Sequence, residues 1–438
     1  MTGDPFTAPA PGASPYEPGA PLPALALVES NTTGSGREFC AAARRLGLRP
    51  VVLTARPERY PYLALDAVDH LLVDTGDPAA VLEVSAKLAT DPGGLRGVTS
   101  SSEYFVATAA ATAAALDLPA PDAEAVARCR QKDIQRAALA AAGLAPRFRA
   151  VADTDGALEA ARDIGYPVVA KPTTGSGSVG VRLCHDPGSL LRHARTLLAA
   201  ETDERGRPVP RRLLVEQYVD GPEYSVETFD GTPVAVIGKH LGPEPHFVES
   251  GHDFPADVPD ETAGALCEAT LAALEALGLG WGAAHTELRL GPDGPVVIEV
   301  NPRLAGGMIP ALVRLGSGTD LVACAVARAA GDAAVLRTRP RRHAAIRFAV
   351  ARVPGTVTSL DGLDAARTVP GVERAEFTTA PGDQITITHS FRDRVGYALA
   401  AADLTATTPS AAGIHTAAAR AERAAGLLTV TTAPERTP

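Results

Sequence analysis

Residues 285–307 of this chain read His285-Thr-Glu-Leu-Arg-Leu-Gly-Pro-Asp-Gly-Pro-Val-Val-Ile-Glu-Val-Asn-Pro-Arg-Leu-Ala-Gly-Gly307. Two alternating stretches, 284–290 and 295–300, flank Gly-Pro-Asp-Gly, which predicts an antiparallel hairpin with a glycine-bearing turn. Because side chains alternate between the faces of a strand, Glu287 and Glu299 can lie on one face of this hairpin, in phase with Asn301. The segment therefore predicts a cluster of oxygen ligands on neighbouring strands.

This cluster has the composition of a magnesium site. Mg²⁺ prefers one or two carboxylates together with substrate phosphates, and Glu287, Glu299 and the amide oxygen of Asn301 supply the protein share. Arg303 follows two residues later, and its planar guanidinium suits a phosphate or a carboxylate beside the metal. The alternative is an exposed hairpin whose carboxylates are simply solvated.

The run Glu287…Glu299-Val-Asn-Pro-Arg303 resembles the metal-binding end of the ATP-grasp superfamily, which comprises carboxylate–amine and carboxylate–thiol ligases. The resemblance implies ATP and Mg²⁺ as cofactors, with Mn²⁺ as a possible replacement. It also implies an α/β and α+β architecture. Its parts are an N-terminal open parallel α/β domain, a central two-part ATP-binding domain and a small C-terminal α+β module.

The composition narrows the class of protein. The chain has 438 residues, 45% of them hydrophobic, and a net charge of −10, which argues against nucleic acid or an anionic membrane as the main partner. No apolar run reaches the roughly 18 residues of a membrane helix, and the start has no signal-peptide pattern, so a cytoplasmic location is expected. Five separated cysteines without a CxxC pair predict neither a disulfide framework nor a zinc site.

Lysine is rare in this chain. Of 41 basic residues only Lys87, Lys132, Lys171 and Lys239 are lysines, so arginine serves almost everywhere as a generic positive charge. A lysine that is retained in such a chain can be one whose compact charge is needed. On this ground and by motif position, we expect Lys132 and Lys171 to contact the α- and β-phosphates of ATP.

The second informative stretch is Pro167-Val-Val-Ala-Lys171-Pro-Thr-Thr-Gly-Ser-Gly-Ser-Val-Gly180. Its glycines match GxGxxG, but they lead into a strand pattern rather than a helix, which disfavours a dinucleotide site and a nicotinamide-dependent oxidoreductase. No Walker motif is present. The pattern predicts a flap whose backbone covers phosphates, as ATP-grasp proteins have, through Ser176, Gly177, Ser178 and Val179.

Residues 213–227 resemble the hinge of the same family. The resemblance implies that the segment Glu216-Gln217-Tyr218-Val219 offers backbone groups and a carboxylate to adenine, and that Glu223 takes the ribose hydroxyls. Read without the resemblance, the segment is a core strand followed by a turn.

Two further segments resemble the L-amino-acid ligase branch, whose members form dipeptides. They are Gly251-His-Asp-Phe-Pro-Ala256 and Leu304-Ala-Gly-Gly307. The resemblance places His252 on the acceptor side as a candidate base and Arg303 at the carboxylate or the transferred phosphate. Gly306 and Gly307 would permit close approach of the backbone to a substrate. Glu103, after a strand of the N-terminal domain, is expected to hold a substrate ammonium group.

The domain boundaries follow from these motifs. We predict a Pro-rich disordered tail at 1–23, the N-terminal domain at 24–122, the ATP-grasp domain at 123–338, the C-terminal subdomain at 339–430 and a tail at 431–438. The ATP-grasp domain divides into a flap part at about 145–215 and a metal-site part at about 216–338. In the C-terminal subdomain the patterns predict a strand at 344–350 and helices at 394–401 and 411–425.

The predicted function is that of an ATP-dependent ligase that activates an amino-acid or related carboxylate as an acyl phosphate and couples it to the amine of a second amino acid. Thiol or formyl chemistry at the acceptor is the first alternative, and a non-catalytic ATP-binding module is another. The sequence leaves open whether an α- or a side-chain carboxylate is activated. Amino acids, as small-molecule substrates, are the expected partners, and dimers are common in the family, so a homodimer is allowed.

Overall fold

The computed structural model describes residues 21–31, 35–203, 205–404 and 416–434. Most of the predicted N-terminal tail and residues 435–438 lie outside this part of the chain. The order of elements has an N-terminal parallel sheet, a small antiparallel sheet and a large antiparallel sheet with its helices, which confirms the predicted fold class.

The first unit is an open parallel sheet in the strand order β3-β2-β1-β4. Its central strand is fully buried because helices cover both faces, which explains the continuous apolar run Ala24–Val28. The order reverses beside β1, so the carboxyl ends of β1 and β4 form the crevice where such sheets bind ligands. The elements are β1 Ala24–Val28, α1 Ser35–Arg45, β2 Arg49–Thr54, α2 Tyr62–Leu65, β3 Asp69–Leu72, α3 Pro78–Thr90, β4 Leu95–Thr99 and α4 Val106–Ala115.

The second unit, the flap module, follows two helices, α5 Ala123–Cys129 and α6 Lys132–Ala141. It is an antiparallel sheet in the order β5-β8-β6-β7. The glycine-rich loop joins β6 to β7, so a strand follows it and not a helix, as predicted; this removes the support for a dinucleotide site. The elements are β5 Phe148–Val151, α7 Thr154–Ile164, β6 Val168–Pro172, β7 Arg182–Cys184, α8 Pro187–Ala199 and β8 Leu213–Gln217.

The third unit is an eight-stranded antiparallel sheet in the order β13-β12-β9-β10-β11-β14-β18-β16. The C-terminal strands extend this sheet from β11 without a break, so they continue the surface that carries the predicted metal site. The elements are β9 Glu223–Phe229, β10 Thr232–Leu241, β11 Glu249–Phe254, α9 Asp260–Leu277, β12 Ala283–Gly291, β13 Gly294–Asn301, α10 Ile309–Ser317, α11 Leu321–Ala329 and β14 Arg342–Val350.

The C-terminal segment corrects two expectations. The predicted helix at 394–401 is instead β18, a strand between β14 and β16. Its alanines favour a helix in isolation, but here they are buried and leave room for α13 to pack on the sheet. The last strand also includes residues predicted as tail. The elements are β15 Gly355–Asp361, α12 Leu363–Arg367, β16 Val372–Phe377, β17 Gln384–Ile385, β18 Arg394–Asp403, α13 Ala417–Leu427 and β19 Thr429–Ala433; residues 411–415 of the predicted last helix lie outside the described residues.

The parallel sheet shares a core with helix α11. Phe39 and Cys40 of α1 pack with Val322 and Val326 of α11, and a Cβ on Gly97 of β4 would collide with the carbonyl oxygen of Ala329. The flap module has its own core cluster, whose buried residues all fall within 151–215. The boundary between separately packed parts of the molecule therefore lies around the flap module.

Within the described residues, no single helix has the length and apolarity to span a membrane. The helices α10 and α11 reach that length only when taken together, and they are bent by 107° relative to each other.

Candidate active site

A cavity of about 610 Å³ lies where the three sheets meet. The glycine-rich loop, the hairpin β12–β13, the carboxyl edge of the parallel sheet and the strands β14 and β18 contribute to its wall. Most of the residues predicted for the site line this one cavity. These are Glu103, Lys132, Lys171, Ser176, Gly177, Ser178, Val179, Glu216, Tyr218, Glu223, Glu287, Glu299, Asn301, Arg303, Gly306 and Gly307, whereas Gln217, Val219 and His252 do not line it.

The hairpin has the predicted register. Glu287 on β12 pairs directly with Glu299 on β13, and His285 pairs with Asn301. Directly opposed residues of an antiparallel pair project from the same face, so the two carboxylates and the amide lie together. A register shift follows Glu287, at the end of the cluster.

Each of the two carboxylates has a lysine partner. The Nζ atom of Lys132 lies 3.0 Å from Glu299, and that of Lys239 lies 2.9 Å from Glu287. Lys239 also lies 2.7 Å from Glu223 and 2.8 Å from Glu249. Burial alone would lower the pKa of Lys239, but the three carboxylates outweigh burial and raise it. For Glu287, Lys239 and His285 likewise outweigh burial and hold the pKa below the ordinary value.

The donor set fits a hard cation. The side-chain oxygen of Asn301 faces only acceptors; rotating the amide would let its nitrogen donate to Glu103 at 2.9 Å and to Glu299 at 3.3 Å. A cation placed between these oxygens would satisfy the unrotated amide as well. The described residues contain no group of three or more His, Cys, Asp or Glu suited to a metal. Two carboxylates and an amide therefore match an ion such as Mg²⁺ that takes its remaining ligands from phosphates and water.

His285 holds Glu287 in place through contacts with two carboxylates. Its Nδ1 lies 2.7 Å from Glu227 and its Nε2 lies 3.1 Å from Glu287. Burial would lower the pKa of His285, but the two carboxylates outweigh burial and raise it to about 10. The imidazolium thus links Glu287 to a second, buried carboxylate and fixes the orientation of Glu287.

Lys171 and Lys132 meet beneath the glycine-rich loop. The Nζ atom of Lys171 lies 2.6 Å from Glu216, and Lys132 donates to the carbonyl of Gly175 at 2.8 Å. Burial lowers the pKa of Lys171, although Glu216 opposes this shift. Glu216 is also paired with Arg136, a buried arginine that donates to the carbonyls of β13. Through Arg136, the carboxylate of Glu216 therefore ties the flap module to the hairpin.

The tip of the glycine-rich loop is held down by the C-terminal segment. Phe391 lies so close to Gly177 that a Cβ there would overlap its ring, and Gly177 has a φ of +62°. The hydroxyl of Ser178 donates to the carbonyl of Phe247 at 3.1 Å. Only glycine combines this φ with this contact at little cost, so residue 177 is fixed by geometry at the tip.

Glu103 lies inside the cavity with its carboxylate already occupied. Arg130 and Arg303 both donate to it. Burial would raise the pKa of Glu103, but Arg303, Arg130 and Lys132 outweigh burial and lower it to about 2. The expected ammonium contact stays a prediction; in this structure Glu103 orients the guanidinium of Arg303.

The position of His252 contradicts its expected contact with the acceptor. The side chain is fully buried behind residue 307, where a Cβ would lie 2.6 Å from its Nε2. Its ring packs edge-on against Phe348 at 5.7 Å between centroids. Burial, only partly opposed by Glu249, lowers the pKa of His252 to about 3. An imidazole so placed is a weak base without access to the cavity. The motif Gly251-His-Asp-Phe-Pro-Ala256 did not predict the burial of His252, because this burial results from packing beneath Gly307 in the folded chain.

Several residues of the site were not predicted. Lys239 carried a signal, since it is one of only four lysines, but its three carboxylate partners come from separate strands. The arginines of the site could not be singled out from the sequence, because arginine is common throughout this chain. The residues that sequence reasoning missed are Arg130, Arg136, Arg205, Glu227, Lys239, Glu249, His285, Arg289 and Arg394.

Three family models match the chain. An "ATP-grasp N-terminal domain" matches residues 40–120, an "ATP-grasp domain" matches 164–311 and an "L-amino acid ligase C-terminal domain 2" matches 347–433. They follow one another along the chain, and the ATP-grasp model spans both the glycine-rich loop and the hairpin β12–β13.

Individual proteins resemble the chain to different extents. The uncharacterized protein y4rH of Sinorhizobium fredii is 39% identical over 380 residues, which cover 86% of this chain and 78% of that protein. Carnosine synthase 1 of Gallus gallus is 35% identical over 190 residues, which cover 41% of this chain but only 20% of that enzyme. The crystal structure of an L-amino acid ligase from Bacillus licheniformis superimposes with a TM-score of 0.76 over 94% of this chain and 99% of that one, at 24% identity, and shows a shared fold.

Proposed function

Because the chain belongs to the ATP-grasp family of ATP-dependent carboxylate–amine ligases, we propose that it phosphorylates the carboxylate of an amino acid or a related acid and couples the acyl phosphate to the amine of a second amino acid. ADP and phosphate are the by-products. One observation carries the proposal. The paired Glu287 and Glu299, with Asn301 and Arg303, share a single cavity with Lys132 and Lys171 beneath a glycine-rich loop.

Each group has a role that follows from its position. Glu287, Glu299 and Asn301 would hold Mg²⁺, which when bound neutralises charge on the outer phosphates of ATP. Lys132 and Lys171 would bind the inner phosphates, since they lie directly under the loop. Arg303, oriented by Glu103, would bind the carboxylate beside the γ-phosphate, because a bidentate fork matches either group.

The loop supports the acyl-phosphate route. An acyl phosphate is lost to hydrolysis unless water is excluded, and here Phe391 and Phe247 fasten the tip of the loop over the cavity. Amino-acid substrates are supported by the C-terminal family model and by the carnosine synthase relative.

The test is the identity of the nucleotide product. Purified protein would be incubated with ATP, Mg²⁺ and a mixture of amino acids, with the mixture omitted as the control, and ADP and AMP would be quantified. Hydroxylamine would be added to trap the activated acid as a hydroxamate. ADP in step with hydroxamate is the expected result. AMP as the stoichiometric product would mean adenylation, and the acyl-phosphate mechanism would be abandoned.

A further inference from the structure

Arg205 lies in a turn of the loop between α8 and β8. The amide of Gly206 donates to the carbonyl of Asp203 at 2.9 Å. The carboxylate of Asp203 accepts from the backbone amides of Arg205 and Arg207 at 2.8 and 3.0 Å, and from Nε of Arg207 at 2.9 Å. These bonds fix the backbone at Arg205 and at the two residues that follow it.

This turn reaches across the molecule to the crevice of the parallel sheet. Arg205 donates to the carbonyl of Ser30 at 3.2 Å and to the hydroxyl of Tyr60 at 3.3 Å. Its guanidinium lies 5.6 Å from the ring centre of Tyr104, and that of Arg207 lies 4.4 Å from the same centre. Arg205 thereby becomes part of the cavity wall, beside Asn31, Ser101 and Ser102.

The charge of Arg205 distinguishes it from other cations in the wall. Lys132, Lys171, Arg289, Arg303 and Arg394 each pair with a carboxylate. Among the described residues, the two lining cations with no carboxylate in ion-pair range are Arg205 and the exposed Arg392. The two acceptors that Arg205 does have are neutral, so its charge is free to attract an anion.

The buried carboxylate of Glu29, on the far side of Tyr60, already has hydrogen-bond partners. Glu29 accepts from the hydroxyls of Thr54, Tyr60 and Thr75 and from the amide of Ala55. Tyr60 stands between Glu29 and Arg205, donating to the former and accepting from the latter. The polar contacts of Glu29 are thus made to neighbours other than Arg205.

We propose that Arg205 binds a carboxylate of an amino-acid substrate other than the carboxylate that is activated. The inference rests on the proposed function for its substrate class. A guanidinium fork matches a carboxylate in a bidentate manner, and Asn31, Ser101 and Ser102 line the wall beside it at the switch point of the parallel sheet. The bound group is either an acidic side chain or the α-carboxylate of the acceptor. Arg205 is thus a specificity-determining residue.

The experiment measures binding, so that it does not depend on turnover. Titration calorimetry in the presence of Mg²⁺ and a non-hydrolysable ATP analogue would compare L-glutamate with L-glutamine and L-alanine with L-alaninamide. We expect the wild type to prefer the acid in at least one pair. Arg205→Gln should reduce that preference about tenfold or more, because a hydrogen bond to a charged group is lost. Arg205→Lys should restore part of it.

Arg211→Gln is the matched control, since Arg211 is an exposed arginine of the same loop and its loss changes the net charge equally. It should leave both preferences unchanged, and all three variants should bind the ATP analogue as the wild type does. A lost glutamate preference assigns a side-chain carboxylate, and a lost alanine preference assigns the α-carboxylate of an acceptor. A wild type that prefers neither acid, or an Arg205→Gln variant that weakens acid and amide equally, overturns the proposal. Normal binding without ADP release would instead overturn only the proposed function.

Discussion

The two ends of the cavity are built in different ways. At the hairpin end, Glu287 and Glu299 are fixed by one β-ladder, and each is paired with a different lysine. At the end bounded by the parallel sheet, a turn from one unit and a crevice from another bring Arg205 and Arg207 around Tyr104. The lysines of the first end are paired with carboxylates, whereas at the second end Arg205 has no carboxylate partner among the residues that the structure describes. Under the two proposals above, the first end would act on ATP and the second would select the acid.

The largest effect should come from removing one carboxylate of the hairpin. Glu299→Gln keeps the shape but removes the charge that would hold Mg²⁺ and partners Lys132, so kcat should fall about a thousandfold, the upper range for losing one preorganised electrostatic group. Steady-state ADP release at saturating amino acids is the measurement. Glu268→Gln, on the exposed side of α9, is the control. A folded Glu299→Gln enzyme with wild-type turnover at limiting Mg²⁺ would remove the hairpin from the chemistry.

A smaller effect, on stability, should follow the loss of Lys239. Lys239→Met fills the same volume but leaves Glu223, Glu249 and Glu287 without their shared cation, which should lower the free energy of unfolding by about 3 kcal/mol. Urea denaturation followed by circular dichroism would measure the change. Lys87→Met is the control, because Lys87 and its partner Glu83 are exposed and such pairs contribute about 0.5 kcal/mol or less. Equal urea midpoints for the two variants would mean that the ion pairs of Lys239 at the hairpin end do not stabilise the fold.

The smallest effect should distinguish lysine from arginine. Lys171→Arg keeps the charge but needs more space in a buried site beside Glu216 and Arg136, so the Kd for ATP should rise about tenfold. Equilibrium binding of a fluorescent ATP analogue would report the change, with the exposed Lys87→Arg as the matched substitution. Unchanged affinity would mean that arginine can replace lysine at position 171. The hairpin end and the Arg205 end would then not differ in the kind of cation that they need.

Local patterns predicted what local structure decides. The hairpin, the order strand–loop–strand around Lys171 and the open parallel sheet all follow from periodicity and turn residues within short segments. Features set by tertiary packing were not predicted from the sequence. The alanines of β18 form a strand because a sheet closes around them, and His252 is buried because Gly307 lies over it. Arg205 reaches the cavity only after two distant units meet. Motifs therefore predicted the residues of the hairpin end better than those of the end bounded by the parallel sheet.

The separate core of the flap module has a mechanical consequence. The parallel sheet and α11 share buried side chains, while the flap module has a separate core and reaches the parallel sheet through hydrogen bonds of Arg205 and Arg207. If the cavity opened by rotation of the flap module, both apolar cores would stay intact. The glycine-rich loop and Arg205 would then leave the cavity together. Nucleotide exit and release of the acid would then be one event, and the dwell time of the shut enzyme would depend on which acid fills the cavity.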